Sequence, residues 1–153
     1  MCIGMVPKAA WENLQSAIEK YVDSSDENAE ILRKIILLKI NRLIKIYPNS
    51  IDLIATKSDY LKKPAQREGC LLKAYFMAER CADFKNMTLI SSSLAVFYVE
   101  DLNNYDEGDV WVSRLRNNLL HYFDEDEKKA LKELEIFLSK CPKPYPVMSK
   151  RPG

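Results

Sequence analysis

Glycine and histidine are scarce in this chain, with four glycines and one histidine among 153 residues. Gly4, Gly69, Gly108 and Gly153 form neither G-x-G-x-x-G nor G-x-x-x-x-G-K-S/T, so no loop is built to cradle a nucleotide phosphate. His121 falls with Arg114 and Asn117 on the polar side of its expected helix and reads as a surface histidine. A Cys–His nucleophile needs a cysteine to come near it, and the cysteines lie on faces rich in packing residues. Cys2, Cys70, Cys81 and Cys141 make no C-x-x-C pair. On one helix, Cys70 and Cys81 stand about 16 Å apart, too far to bond each other. The cysteines are therefore expected to be reduced and buried.

Long apolar runs are missing as well. No segment reaches the roughly 18 uncharged apolar residues of a membrane span, and MCIGMVPKAAW lacks the basic-then-apolar order of a secretion signal. A cytoplasmic, soluble protein without membrane contact is expected. The net charge of +1 argues against a general nucleic-acid binder, which usually carries a strong basic excess. Strict apolar–polar alternation is absent, so an α/β reading is weak. The acidic run DEDEKKALKELE lacks the glycine that an EF-hand loop needs at its sixth position. Four acids opening a helix are more simply explained by the partial positive charge at its amino terminus. No metal, cofactor or catalytic set is expected.

What is present is helical periodicity. Hydrophobic residues make up 47% of the chain, enough for one domain of this length to bury a core without staples. A single α-helical domain over residues 1–140 is expected, followed by a proline-rich tail over 141–153, CPKPYPVMSKRPG. Lys8 to Val22 places Trp11, Leu14, Ile18 and Tyr21 on one face. Ala29 to Tyr47 is apolar around most of its wheel, leaving Lys34, Arg42 and Lys45 as a narrow outward strip. Pro48 and Asn49 stop it, and Ser50 caps a third helix reaching Lys62. Pro64 either ends that helix or opens the next.

Cys70 to Leu102 reads as a helix hairpin, with Ala74, Ala78 and Ala82 forming a ridge of small residues and a turn from Asp83 to Met87. Asn103 to Asp109 reads as a turn, Asp109 to Phe123 as a sixth helix, and Ala130 to Lys140 as the single apolar stripe of a last one. The first and last helices are apolar on one face, whereas the second, fourth and fifth are apolar nearly all round. That is the requirement of a stack with capping ends. The expected fold is all-α, about seven antiparallel helices stacked as hairpins in an α-solenoid, with a compact helical bundle as the alternative.

Two segments, SLAVFYVEDLNNYDEG from Ser93 to Gly108 and KAYFMAERCADFKN from Lys73 to Asn86, resemble the tetratricopeptide repeat. The first is similar to the family's LA pair, aromatic and small residue followed by a short turn and a Y-x-x-A step, through Leu94, Ala95, Tyr98, Leu102 and Tyr105, with Gly108 where the family usually has alanine. The second is similar to the end of a repeat's first helix. The resemblance spans roughly Leu53 to Leu138 and implies binding of another protein, without chemistry of its own.

Charge adds the sign of that partner. From Ile31 to Lys73 there are ten basic residues and three acids, and from Glu100 to Glu127 nine acids and two arginines. Glu100, Asp101, Tyr105, Asp106, Glu107 and Asp109 gather about one helix end, and Asp124, Glu125 and Asp126 a helix later, about 20 Å away. These are the candidate partner-binding residues. They fit a basic protein surface, such as the toxin neutralised by a bacterial immunity protein whose carboxylates imitate nucleic-acid phosphates. The competing expectation is a structural adaptor that assembles a larger complex or a homodimer.

Overall fold

The computed structural model describes residues 5–141, and they are all-α, with no strand among them. Seven α-helices follow one another: α1 Lys8–Val22, α2 Asp26–Ile46, α3 Ile51–Ser58, α4 Pro64–Arg80, α5 Phe84–Val96, α6 Tyr105–Leu119 and α7 Glu125–Lys140. Between α5 and α6, Phe97–Asp101 forms one turn of π-helix. The expected tail over 141–153 lies, apart from Cys141, outside the described residues. Contacts divide the chain into two compact units, with the boundary inside α5 between Ile90 and Ser91.

In the first unit, successive helices pack on one another, α1 on α2, α2 on α3 and α3 on α4. Such neighbour-to-neighbour packing is common to stacked hairpins and simple bundles. Leu14, Ile36, Ile40, Leu53 and Tyr60 form the buried centre, with Trp11, Ile18 and Tyr21 packed against it. The rings of Tyr21 and Tyr60 meet edge to face at 5.6 Å. Arg33 locks the same region, donating to the Tyr60 carbonyl at 2.7 Å and to both carboxylate oxygens of Glu30. Lys62, in the loop between α3 and α4, closes on Glu30 at 2.8 Å.

Caps decide where these helices begin and end. Ser50 does cap α3, its Oγ accepting from the Leu53 N–H at 3.2 Å, but α3 stops at Ser58 rather than Lys62. Pro64 opens α4 in its first turn, where its missing N–H costs nothing. The expected Asp83–Met87 turn is shorter than its sequence suggests. Ala82 takes a left-handed φ of 51°, the Ala82 N–H donates to the Glu79 carbonyl and the Asp83 N–H to the Ala78 carbonyl. This is a Schellman closure with alanine in the position glycine usually fills. Asp83 then caps α5 by accepting from the Asn86 N–H at 3.1 Å. The expected alanine ridge is thereby cut to Ala74 and Ala78, both fully buried, while Ala82 lies in the turn.

A larger correction concerns α2. Expected to be covered on both flanks, it buries Ile36 and Ile40 but leaves Ile31, Ile35, Leu38 and Ile46 exposed. Periodicity records that a helix is apolar on several sides, not that every side has found a neighbour.

In the second unit, Leu94, Phe97, Val99, Trp111, Leu115 and Leu131 are buried almost completely. Asn118 donates to the Ser91 hydroxyl at 3.2 Å across this interior. Arg114 lies over the Trp111 ring at 4.4 Å, a cation–π contact. The expected turn from Asn103 to Asp109 is mostly helix. Asn103 sits at φ 51°, which asparagine tolerates, and Asn104 caps α6 by accepting from the Glu107 N–H at 3.2 Å. Gly108 is a packing residue inside α6 and not a turn residue; a Cβ there would lie 2.5 Å from Val99 Cγ2. Starting early, α6 also ends early at Leu119, which puts His121 in the following turn and not on the helix.

Candidate protein-docking surface

The second unit holds the nine candidate residues, and local chemistry fixes each of them. Glu100 and Asp101 end the π-helical turn and are exposed. Tyr105 begins α6, and Asp106 and Glu107 complete its first turn beside the Asn104 cap. Asp109 is half-buried one turn further on. Asp124 caps α7, its Oδ1 accepting from the Glu127 N–H at 3.0 Å, and Glu125 and Asp126 occupy the first helical turn. There they meet the partial positive charge of the helix amino terminus. Glu127 turns inward and accepts from the Ser92 hydroxyl at 3.2 Å. Burial pushes its carboxyl above the usual range; the Ser92 bond opposes the shift, and Asp124 and Asp126 add to it.

Helices α6 and α7 pack against each other as an antiparallel pair. The Tyr105 ring at the start of α6 meets Phe137 near the end of α7 at 5.8 Å, edge to face. The Tyr105 hydroxyl donates to Asn103 Oδ1 at 3.4 Å. In this arrangement Asp106 and Glu107 lie at one end of the pair and Asp124 to Asp126 at the other, roughly a 20 Å helix length away. The candidate acids therefore fall in two patches.

The first patch adjoins a concavity through Glu100. Between the π-helical turn and α7 runs a groove of about 260 Å³, floored by Val96, Val99, Ala130, Leu134 and Phe137 and edged by Glu100 and Glu133. Glu100 is the one candidate that lines it. Tyr105 reaches it through Phe137, which is 45% exposed although its helical phase places it with the core stripe of α7. Asp109 opens instead onto a separate concavity with Val112, Arg116, Glu135 and Leu138, where Arg116 and Glu135 are already paired at 2.7 Å. Sequence reasoning missed Glu133 and the apolar floor. Their signal was ordinary core periodicity, and the extra residue in the π-helical turn changes the facing of Val99 relative to a regular wheel.

An apolar floor between two carboxylates suits a side chain with an aliphatic stem and a cationic head, which lysine and arginine both supply. Among the described residues, no group of three or more His, Cys, Asp or Glu side chains is arranged to hold a metal ion. No described helix is long and apolar enough to cross a membrane. The sequence led us to expect reduced cysteines, and Cys81 departs from that: Cys70 and Cys141 are free thiols, whereas Cys81 is disulfide-bonded. Cys70 is half-buried, and burial raises its thiol pKa against the lowering effect of Lys57 and Lys73.

Fold and groove together define an all-α protein with an acid-edged apolar cleft. No family model matches the chain, and no curated protein or solved structure matches it either.

Proposed function

We propose that the chain is a non-catalytic protein-binding module that captures a basic partner in the acid-edged groove of its second unit. The reading rests on one observation: Glu100 and Glu133 flank an apolar floor, with Asp101, Asp106 and Glu107 nearby in sequence and exposed. Carboxylates at the rim speed encounter with a positive surface, and the floor provides the contact that holds it. Among such proteins the proposal takes the immunity type, an inhibitor that covers the cationic active site of a nuclease toxin, with tetratricopeptide-like helix packing as its scaffold. The alternative is a structural adaptor that assembles a larger complex, and the uncovered apolar residues of α2 favour it.

The proposal includes cytoplasmic residence, the compartment expected from the sequence. Cys81 argues the other way, because protein disulfides are rare where thiol reductants circulate. Alkylating the native protein before and after reduction decides between the two. A Cys81 peptide labelled without reductant supports the cytoplasm, and one labelled only after reduction supports an oxidising compartment.

The functional test is co-purification from the native source, followed by calorimetry with the recovered partner at low and high salt. The expected partner carries a basic cleft, and raising salt from roughly 0.05 to 0.5 M weakens binding as screening shortens the reach of the charges. The paired variant Glu100→Lys with Glu133→Lys is expected to lose about 100-fold in affinity or more, on the order of 3 kcal/mol. A nuclease partner is expected to lose activity in the complex, whereas an active partner would point to the adaptor. Binding indifferent to both salt and charge reversal would remove the acidic groove from consideration.

A further inference from the structure

The face of α2 turned away from the core carries Ile31, Ile35, Leu38 and Ile46, which are 60%, 40%, 52% and 66% exposed. At 100° per residue these side chains fall within a stripe about 80° wide, opposite the buried Ile36 and Ile40. Positions 31, 35, 38, 42 and 45 alternate steps of four and three, the 3.5-residue repeat of a coiled-coil seam. The seam runs for roughly 22 Å and changes charge along its length. Asp26 and Glu27 open α2 and are exposed, while Lys34, Arg42 and Lys45 follow in its later turns, also exposed.

We propose that this seam is occupied by α2 of a second copy of the chain, running antiparallel about a two-fold axis between Ile35 and Leu38. Antiparallel seams set each a position against a d position of the other helix. That register places Ile35 opposite Leu38 of the second copy and Ile31 opposite its Arg42. Glu27 then lies beside Arg42 and Lys45 of the other chain, and the two-fold axis repeats the contact. The Arg42 stem packs along Ile31 while its guanidinium turns outward to Glu27.

Charge selects this occupant. A parallel copy would set Arg42 against Arg42 and Glu27 against Glu27. An acidic helix from another protein would suit Lys34, Arg42 and Lys45 but be repelled at Glu27, which shares the seam's side of the helix, as would an anionic membrane. Only a partner with the same polarity reversed in direction satisfies both ends, and a second α2 has it. Three apolar seam side chains per copy, with Ile46 beyond the repeat and level with Glu27 of the second copy, form less contact than the roughly 1,200 Å² of a stable complex, so the association is weak and concentration-dependent. The seam and the acidic groove belong to different units, so loss of either in its own test leaves the other standing.

Sedimentation of the full chain from roughly 1 to 500 µM tests the proposal, with dimers expected to fill in as concentration rises. Leu38→Glu and Glu27→Lys each place their change on an exposed surface and should leave the circular dichroism spectrum unaltered. Each is expected to raise the dimer dissociation constant about tenfold or more. Combining Glu27→Lys with Arg42→Glu and Lys45→Glu exchanges the charges across the axis and should return the constant to within about threefold of the original. A monomer at every concentration overturns the proposal, as does a dimer indifferent to Leu38→Glu. Failure of the charge exchange to restore association, or Leu38-dependent binding to anionic vesicles without dimers, overturns it equally.

Discussion

Ala82 holds a left-handed backbone conformation at φ 51°, where the Cβ of an L-residue crowds the following carbonyl. The closure it makes is complete, with the Ala82 N–H on the Glu79 carbonyl at 3.1 Å and the Asp83 N–H on the Ala78 carbonyl at 2.9 Å. The hydrogen bonds therefore survive replacement, and only the strain changes. Ala82→Gly is expected to stabilise the protein by about 0.5–1 kcal/mol, the relief of strain less the entropy that glycine adds to the unfolded chain. Urea unfolding reads this directly; destabilisation would show that the alanine methyl makes a contact worth more than its strain.

Glu30 offers a second residue-scale test, through pH. Hydrogen bonds from Arg33 and then Lys62 lower its carboxyl from 4.5 to about 2. A carboxylate lowered by folding contributes its stability above its unfolded value, and that contribution fades as pH falls toward the folded one. Carbon-detected NMR should find the Glu30 midpoint near 2. Arg33→Ala should move it upward, because the first cause of the depression is removed. A Glu30 midpoint at its ordinary value in the unaltered protein would mean that the three-residue cluster does not persist in solution.

At the scale of elements, the junction between the π-helical turn and α6 is where sequence periodicity and packing part company. Gly108 sits in a helix interior, where glycine is about 1 kcal/mol worse than alanine, yet an alanine Cβ would lie 2.5 Å from Val99 Cγ2. Val99 is buried and β-branched, so it has little room to turn aside. Gly108→Ala is accordingly expected to destabilise by about 1–2 kcal/mol, overpacking outweighing propensity. In a Val99→Ala background the same substitution should stabilise, since the clash is gone and the propensity gain remains. A double-mutant cycle by chemical denaturation checks the change of sign.

The same junction shows what the sequence could and could not convey. Helix identity was legible because apolar residues recur at helical spacing within a segment, as Ile36 with Ile40, Leu115 with Leu119 and Leu131 with Leu134, and are buried. The start of α6 was not, because Asn104 and Gly108 are turn residues by composition, and here one caps the helix while the other makes room for Val99. The candidate acids were legible as charge, and Glu100 does line the groove. Glu133, Phe137 and the uncovered side of α2 were not, since a wheel shows which residues share a face and nothing of what that face meets.

For the molecule as a whole, the net charge of +1 conceals a segregation by unit. The basic stretch from Ile31 to Lys73 belongs to the first unit and the acidic stretch from Glu100 to Glu127 to the second. A short oligolysine peptide is a suitable probe, being cationic with flexible aliphatic stems and carrying no fold of its own. Nonspecific attraction to any acid would make the exposed Glu27 of α2 as important as Glu100. Docking in the groove instead predicts that Glu100→Gln with Glu133→Gln weakens the peptide several-fold, on the order of 1 kcal/mol, while Glu27→Gln leaves it unchanged. Adding salt should weaken the unaltered protein more than the groove variant, because two of its attracting charges are then absent. Asp124→Asn with Asp126→Asn supplies the contrast, removing charge from the opposite end of the α6–α7 pair where no described apolar floor accompanies it. A larger loss there than at Glu100 and Glu133 would transfer the docking site to the α7 amino terminus and leave the groove without a role in cation capture.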